Sequence, residues 1–433
     1  MKLALNLLLL ARMVTHYADT NHTPRRGLHR LITALGAIAA VALVLALATP
    51  AAAFIDVTDY GAKGDGSDAT AAINAAIDAA GPNGDTVYLP AGSYAVNATI
   101  VVTGKRGLRI VGDGVGATQL LPNGLGGKPV LQFVNDVFTT VESLTINGNS
   151  QSPPSAGIES DAAPNGESTR LTVRDVTLGS PSSNNLVDGI RFGVIGGADA
   201  MNDQGFFENV NIINFSHAAY SFLGHNSLVH TIVGGQVEYG PIGVYSEGGT
   251  FKISGTHFQT LSDVIFDFEN SSDPGVTLYQ HPILINAIST ESASNLLRTG
   301  TVGMYVAITG CDFNSSASDG PYIDWNSPGM LFISDSFMYY LQPSEYLQFN
   351  AGIVNLNSNY FNLDKIVLNG GRLNSHANCW GGPTNVQSGP QAALIDSGDS
   401  CNPLVTPAPA PAPIPDAVPS KFCRNHKHSR KCG

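Results

Sequence analysis

Short apolar runs, each followed by a polar turn and a second apolar run, recur through most of this chain. KISGTHF (252–258), AITGCDF (307–313), LFISDSF (331–337) and IVNLNSNYF (353–361) align on Ile253, Ile308, Ile333 and Val354. Each precedes a second run: DVIFDFE, PYIDWNS, EYLQFN and KIVLNGG. The anchors are 21 to 55 residues apart, and the longest step divides in two at ILINAIS. Fainter copies lie upstream: LTVRDVTL with VDGIRFG, VNIINF with AAYSFLG, and IVGGQVE with PIGVYSE. A unit this short cannot bury its own apolar face, so the copies must stack into a solenoid. The leucine-rich signature LxxLxLxxN is missing, and Gly, Asn, Ser and Asp punctuate the runs as strand-bounding turns. Parallel strands then place equivalent residues of successive coils about 4.8 Å apart.

A solenoid must block its end strands. Residues 56–80, DVTDYGAKGDGSDATAAINAAIDAA, supply a short strand, a Gly61–Gly66 turn and a helix. Ser67 or Asp68 is the expected helix cap, and Ala72, Ile73, Ala76, Ile77 and Ala80 form an apolar stripe at helical spacing. TVYLPAGSYAV follows. This series resembles the amino-terminal cap of the pectate-lyase-like superfamily, nearest the pectate lyase 3 and glycoside hydrolase family 28-related proteins. The resemblance implies an all-β, right-handed parallel β-helix with an N-terminal capping helix, acting on polysaccharide. True polygalacturonases carry NTD, DD, GHG and RIK blocks. This chain has no Asp-Asp pair, His225 sits in GHN, and RIK is absent. At the far end, His376–Pro390 with Cys379 and Trp380 is the expected plug.

The segments outside the solenoid have their own chemistry. Arg25, Arg26 and Arg30 precede the apolar run Leu31–Ala48, and Ala51-Ala52-Ala53 follows. That pattern reads as a signal peptide ending at residue 53, with an uncleaved membrane segment as the alternative. The protein is therefore expected outside the cell, with the β-helix at 54–402, a Pro/Ala-rich linker at 403–420 and a basic tail at 421–433. From Phe54 to Ser420, 12 Lys and Arg face 33 Asp and Glu, a net of −21. Such a body repels nucleic acid, and also polyuronates unless divalent cations bridge the like charges. The tail holds five basic residues and suits attachment to acidic cell-wall polymer. Of five cysteines, Cys423 and Cys432 are expected to pair, as are Cys379 and Cys401, which leaves Cys311 as a buried thiol.

In β-helix enzymes of the resembled superfamily the groove lies along one sheet, and a DGI pattern marks one of its strands. Here that strand is Asp188-Gly189-Ile190-Arg191-Phe192. Alternation along DVIFDFE points Val264, Phe266 and Phe268 inward and Ile265, Asp267 and Glu269 outward. The same phase exposes Arg191, Tyr245, Glu247, Arg298, Asp324, Asn326, Gln348 and Asn350, and buries Trp325. Two chemistries fit this ladder. A glycoside hydrolase, the leading expectation, needs two carboxyls about 5–9.5 Å apart, with Asp267, Glu269 and Glu247 as candidates. Tyr245, Arg191, Arg298, Asp324 and Asn326 would then bind substrate. A lyase or epimerase needs a cation to neutralise the uronate: Asp267, Glu269 and Asp324 would hold Ca²⁺, with Arg191 or Arg298 as base. Otherwise no cofactor or metal is expected. A third reading is a non-catalytic surface β-helix that binds glycans. His217, His230, His257 and His281 read as turn or packing residues.

Overall fold

The computed structural model describes residues 53–401 and 404–405, except 82–83, 183–184, 195–199, 272–275, 316–319, 340–344, 383 and 400. The expected export segment, the spacer beyond 405 and the Cys423–Cys432 tail lie outside the described residues.

Among the described residues 33 strands form one continuous sheet wound into a parallel β-helix. Each coil visits three faces. The coil with strands Tyr305–Thr309, Asp312–Asn314 and Gly320–Trp325 stacks on the one with Met330–Ser334, Phe337–Tyr339 and Glu345–Phe349. Tyr305 pairs with Met330, Asp312 with Phe337 and Asp324 with Gln348, all in parallel. We call these faces the first, second and third sheets. Long strands such as His257–Phe268 turn a corner from one face to the next without a break.

The interior is a set of inward columns. Ile253, Ile285, Ile308, Ile333 and Leu356 share one, at steps of 32, 23, 25 and 23 residues. Sequence alignment on Val354 is therefore two residues out: Val354 pairs with Leu331, in a neighbouring inward column. Both positions are buried and apolar, so composition alone does not separate them. A file of rings, Phe207, Phe192, Phe222, Phe251 and Phe266, runs up the middle at centroid spacings of 5.6–6.3 Å. Each such side chain contributes about 1.5–3 kcal/mol by leaving water.

The amino-terminal end is closed by helix α1, Thr70–Ala79. Its residues Ile73, Ala76 and Ile77 are buried, with Ala80 just beyond. The N-cap is Ala69 rather than Ser67 or Asp68. Asp68 still serves the first turn, because its Oδ1 accepts from Thr70 N at 3.0 Å. The helix also satisfies the exposed edge of the first third-sheet strand, Ile100–Thr103: Asn74 Oδ1 accepts from Val101 N at 3.0 Å. At the other end, His376–Pro390 is not a plug. It continues the coils through Lys365–His376, Cys379–Trp380 and Thr384–Ser397. Cys379 and Cys401 are joined in a disulfide, and Cys311 is a buried free thiol.

Candidate functional site

The outer face of the third sheet carries one polar column, with one residue from each successive coil. In register order it reads Glu159, Arg191, Ser221, Tyr245, Asp267, Arg298, Asp324 and Gln348. The residues singled out by alternation, Arg191, Tyr245, Asp267, Arg298 and Asp324, are thus brought into line. Trp325 is fully buried.

Alternation fails just before this column. Val264 lies outside the main core, in a small cluster with Ala218, Ile242 and Tyr245, whereas Ile265 is in the core. Two consecutive inward residues separate two outward columns: Gly189 and Ile190 separate Asp188 from Arg191, and Ile265 and Phe266 separate Val264 from Asp267. Gly189 shows why the DGI strand needs its glycine. A Cβ there would sit 2.5 Å from Ala219 O and 2.6 Å from Ile212 Cγ2.

Bulges in the same region project two further side chains. The pairing of Leu186–Phe192 with Phe215–Phe222 shifts between Leu186/Phe215 and Asp188/Ala218, so Ser216 and His217 together oppose Val187. One coil pair on, Ser262 and Asp263 oppose Pro241 in the same way. An extra residue re-aims the side chains beside it. His217, expected to be a packing residue, is therefore part of the groove.

His217 Nδ1 lies 2.7 Å from Asp188 Oδ1. Asp188, itself buried, also accepts from Ser221 Oγ at 3.0 Å and Ala218 N at 3.2 Å. The hydrogen bond to Asp188 raises the His217 pKa above its ordinary value, against the opposing effect of burial. The imidazole packs edge-on to Tyr245, with ring centroids 4.9 Å apart. Tyr245 Oη donates to Glu247 Oε1 at 2.8 Å. Burial, then that bond to Glu247, pushes the phenol pKa up.

Two of the three carboxylates proposed for hydrolysis, Asp267 and Glu247, have other partners. Arg298 Nε and Nη2 donate to Asp267 at 3.1 and 2.5 Å, and its Nη1 and Nη2 donate to Asp263 at 3.1 Å. Glu247 holds the Tyr245 hydroxyl. Glu269 titrates higher than usual because of burial, then because of Asp267 beside it. Arg191 donates to Glu159 and has Nη1 3.8 Å from Asp188 Oδ2. Asp324 accepts from Gln348 Nε2 at 3.0 Å and Asn350 Nδ2 at 3.1 Å, while Asn326 Oδ1 takes Asn350 Nδ2 at 2.6 Å. The expected Ca²⁺ trio of Asp267, Glu269 and Asp324 does not fit an ion. Arg298 stands between Asp267 and Asp324 in the register and occupies the former. Among the described residues no three His, Cys, Asp or Glu side chains are arranged to hold a metal.

Of the other histidines, His230 is fully buried against Phe222, and His257 Nδ1 pairs with Ser289 Oγ at 2.8 Å. Tyr220, on the same strand as His217, is in the core.

The chain is similar to mannuronan C5-epimerase AlgE1 of Azotobacter vinelandii, 31% identical over 209 residues, which are 46% of this chain and 13% of that protein. It is also similar to alginate lyase 7 of Azotobacter vinelandii, 40% identical over 109 residues, 22% of this chain and 12% of that protein. The chain thus spans only a small part of the length of these relatives. The solved A-module of mannuronan C-5 epimerase AlgE6 of Azotobacter vinelandii follows 82% of this chain over 100% of its own, at 16% identity and a TM-score of 0.43. Residues 54–320 match the family described as rhamnogalacturonase A/epimerase, pectate lyase-like, and the chain belongs to that family.

Proposed function

We propose that this chain removes the C5 proton from uronate residues of an alginate-type polysaccharide, as a C5-epimerase or a lyase. The observation that carries the reading is the Asp188–His217–Tyr245 arrangement beside Arg191. A uronate C5–H is acidified by its carboxylate, and its removal places further negative charge on that group. Arg191, one coil from Ser221 and two from Tyr245, is the cation placed to bind it.

Asp188 accepts the hydrogen bond from His217 Nδ1–H, which keeps the proton on Nδ1 and leaves Nε2 as the acceptor for the C5 proton. Tyr245 is the second proton carrier, with Glu247 behind its hydroxyl. A proton returned to C5 from the opposite face inverts that carbon. Alternatively, the C4–O bond breaks, the leaving oxygen takes a proton from the acid, and a C4–C5 double bond remains. Both outcomes start with the same abstraction, and relatives with each activity in their names support that choice over hydrolysis. The engagement of Asp267 by Arg298 and of Glu247 by Tyr245 argues in the same direction. An extracellular polymer also suits the export segment expected at Leu31–Ala48.

The test is incubation of the full chain with mannuronan in D₂O, followed by NMR at C5 and by ultraviolet absorbance. Deuterium at C5, with either inverted configuration or an unsaturated end, is expected. New reducing ends with neither change would sink the proposal and restore the hydrolase reading.

A further inference from the structure

The first sheet carries a second track, on a different face from the groove. Tyr305 pairs with Met330 and Ala307 with Phe332, so the two rings sit on successive coils. Their centroids are 5.2 Å apart and their planes 29° from parallel. Tyr305 and Met330 are 39% and 41% exposed. Below Phe332 its column continues as Asn355 and Asn374, with Asn374 Nδ2 donating to Asn355 Oδ1 at 2.8 Å. Arg372 stands in the Tyr305 column, three coils on or roughly 14 Å away. Its Nε donates to Asn374 Oδ1 at 2.9 Å. Among the described residues Arg372 has no carboxylate at ion-pair distance, whereas Arg109, Arg174, Arg191 and Arg298 each contact one.

From this juxtaposition we infer that the first-sheet face is a non-catalytic binding track for a uronan chain. Flat aromatic surface suits the apolar face of a pyranose ring, amides suit its hydroxyls, and an uncompensated guanidinium suits a carboxylate. The local guanidinium decides the occupant. The acidic body, net −21 over 54–420, opposes a second copy and a polyanion alike at long range. A uronan chain carries a carboxylate on every sugar, and Arg372 can pair with one. The inference rests on the uronan reading above and adds a holding site that keeps the polymer near the groove.

The test uses the full chain carrying Tyr245→Phe, so that polymer is bound without turnover, titrated calorimetrically with long mannuronan. Adding Tyr305→Ala with Phe332→Ala, or Arg372→Gln alone, is expected to weaken binding about tenfold, the scale of a lost anchor contact. In the active background the same changes leave turnover of short oligomannuronate unchanged. Arg372→Gln alters one exposed side chain, and melting by circular dichroism checks the fold of each variant. Unchanged polymer affinity in Arg372→Gln overturns the inference. So does equal weakening toward a neutral dextran, or sedimentation showing a wild-type dimer that these changes dissociate. C5 exchange with unchanged polymer affinity removes the second track alone; mannuronan neither bound nor exchanged removes both readings.

Discussion

His217 and Asp188 face each other across adjacent coils, Nδ1 to Oδ1 at 2.7 Å, and the carboxylate is only 2% exposed. A buried carboxylate that fixes one ring nitrogen orients the other and favours the protonated ring.

Asp188→Asn therefore acts on rate and on pH dependence together. The proposed C5 abstraction needs neutral His217, and Asp188 is the leading cause of its raised pKa. Without that charge the neutral form persists to lower pH, so the acid limb of the kcat/KM profile moves down in pH. The misoriented ring lowers kcat by about 10²–10⁴-fold. A profile that keeps its acid limb in place would show that His217 is not the base.

Arg298 connects a buried and an exposed carboxylate, which predicts unequal costs. Arg298→Ala leaves Asp267, 2% exposed, without its cation and should cost about 3–5 kcal/mol in urea unfolding. Asp263→Ala removes a partner whose side chain is 41% exposed and should cost about 0–1 kcal/mol. Equal losses would contradict the assignment of Asp267 as the buried anchor.

Much of this was readable from the residues, and the exceptions share a cause. Most of the column from Arg191 to Gln348 follows from strand alternation, because Arg191, Asp267, Asp324 and Gln348 are each flanked by large inward residues. His217 and Asp263 were hidden because each sits at a bulge, where an extra residue breaks the period of two. Exchanging Val264 with Ile265 is the same error one residue later. A signal did exist: Gly157-Ile158, Gly189-Ile190 and Gly243-Val244 repeat a small residue before a large one at equivalent positions. That pattern marks two consecutive inward sites, and at Gly189 and Gly243 a Cβ in the first would come within 2.5–2.6 Å of a carbonyl on the next coil. His376–Pro390 reads as a plug, yet the backbone there goes on pairing as coils.

Long-range charge should oppose substrate capture. The body carries net −21 over 54–420 and mannuronan, the proposed substrate, is a polyanion. Raising ionic strength from about 0.01 to 0.1 M shortens the Debye length from about 30 to 10 Å, so KM should fall. A KM that rises with salt would mean that local arginines, not the acidic body, govern encounter.

The Cys379–Cys401 disulfide ties the last described coils together across 22 residues. Trp380 Nε1 donates to Asp399 Oδ2 at 2.8 Å within the same loop, and Trp380 stacks on Phe361 at 4.7 Å. Cys401→Ser should lose about 3 kcal/mol from the loop-closure term. C5 chemistry should survive at temperatures where the variant stays folded, since the groove residues lie coils away. Unaltered urea stability would mean that the coil packing, not the crosslink, holds this end.

His230 sets a stability signature with a definite sign. It is fully buried, stacked on Phe222 at 4.4 Å, with Gly205 N donating to Nδ1 at 3.0 Å and Nε2 at 2.8 Å from Ser227 Oγ. Burial pushes its pKa down from 6.5 to about 3. Between those values the unfolded chain binds a proton that the folded one refuses, so this group's contribution falls as pH falls, by about 1.4 kcal/mol per pH unit. Asp136 works the other way. Burial raises it from 3.8 to about 6, the folded chain holds the extra proton between those values, and stability from this group grows as pH falls. Whole-protein curves mix the two, so the difference between wild type and variant is the informative quantity. His230→Phe leaves Gly205 N–H without its acceptor and should cost about 1–3 kcal/mol near neutrality. That deficit should shrink steadily as the pH of urea unfolding is lowered from about 6.5 toward 4, because the variant no longer pays for a proton-refusing ring. A deficit constant across that range would mean that His230 is protonated in the folded protein, and that the buried ring stack tolerates the charge.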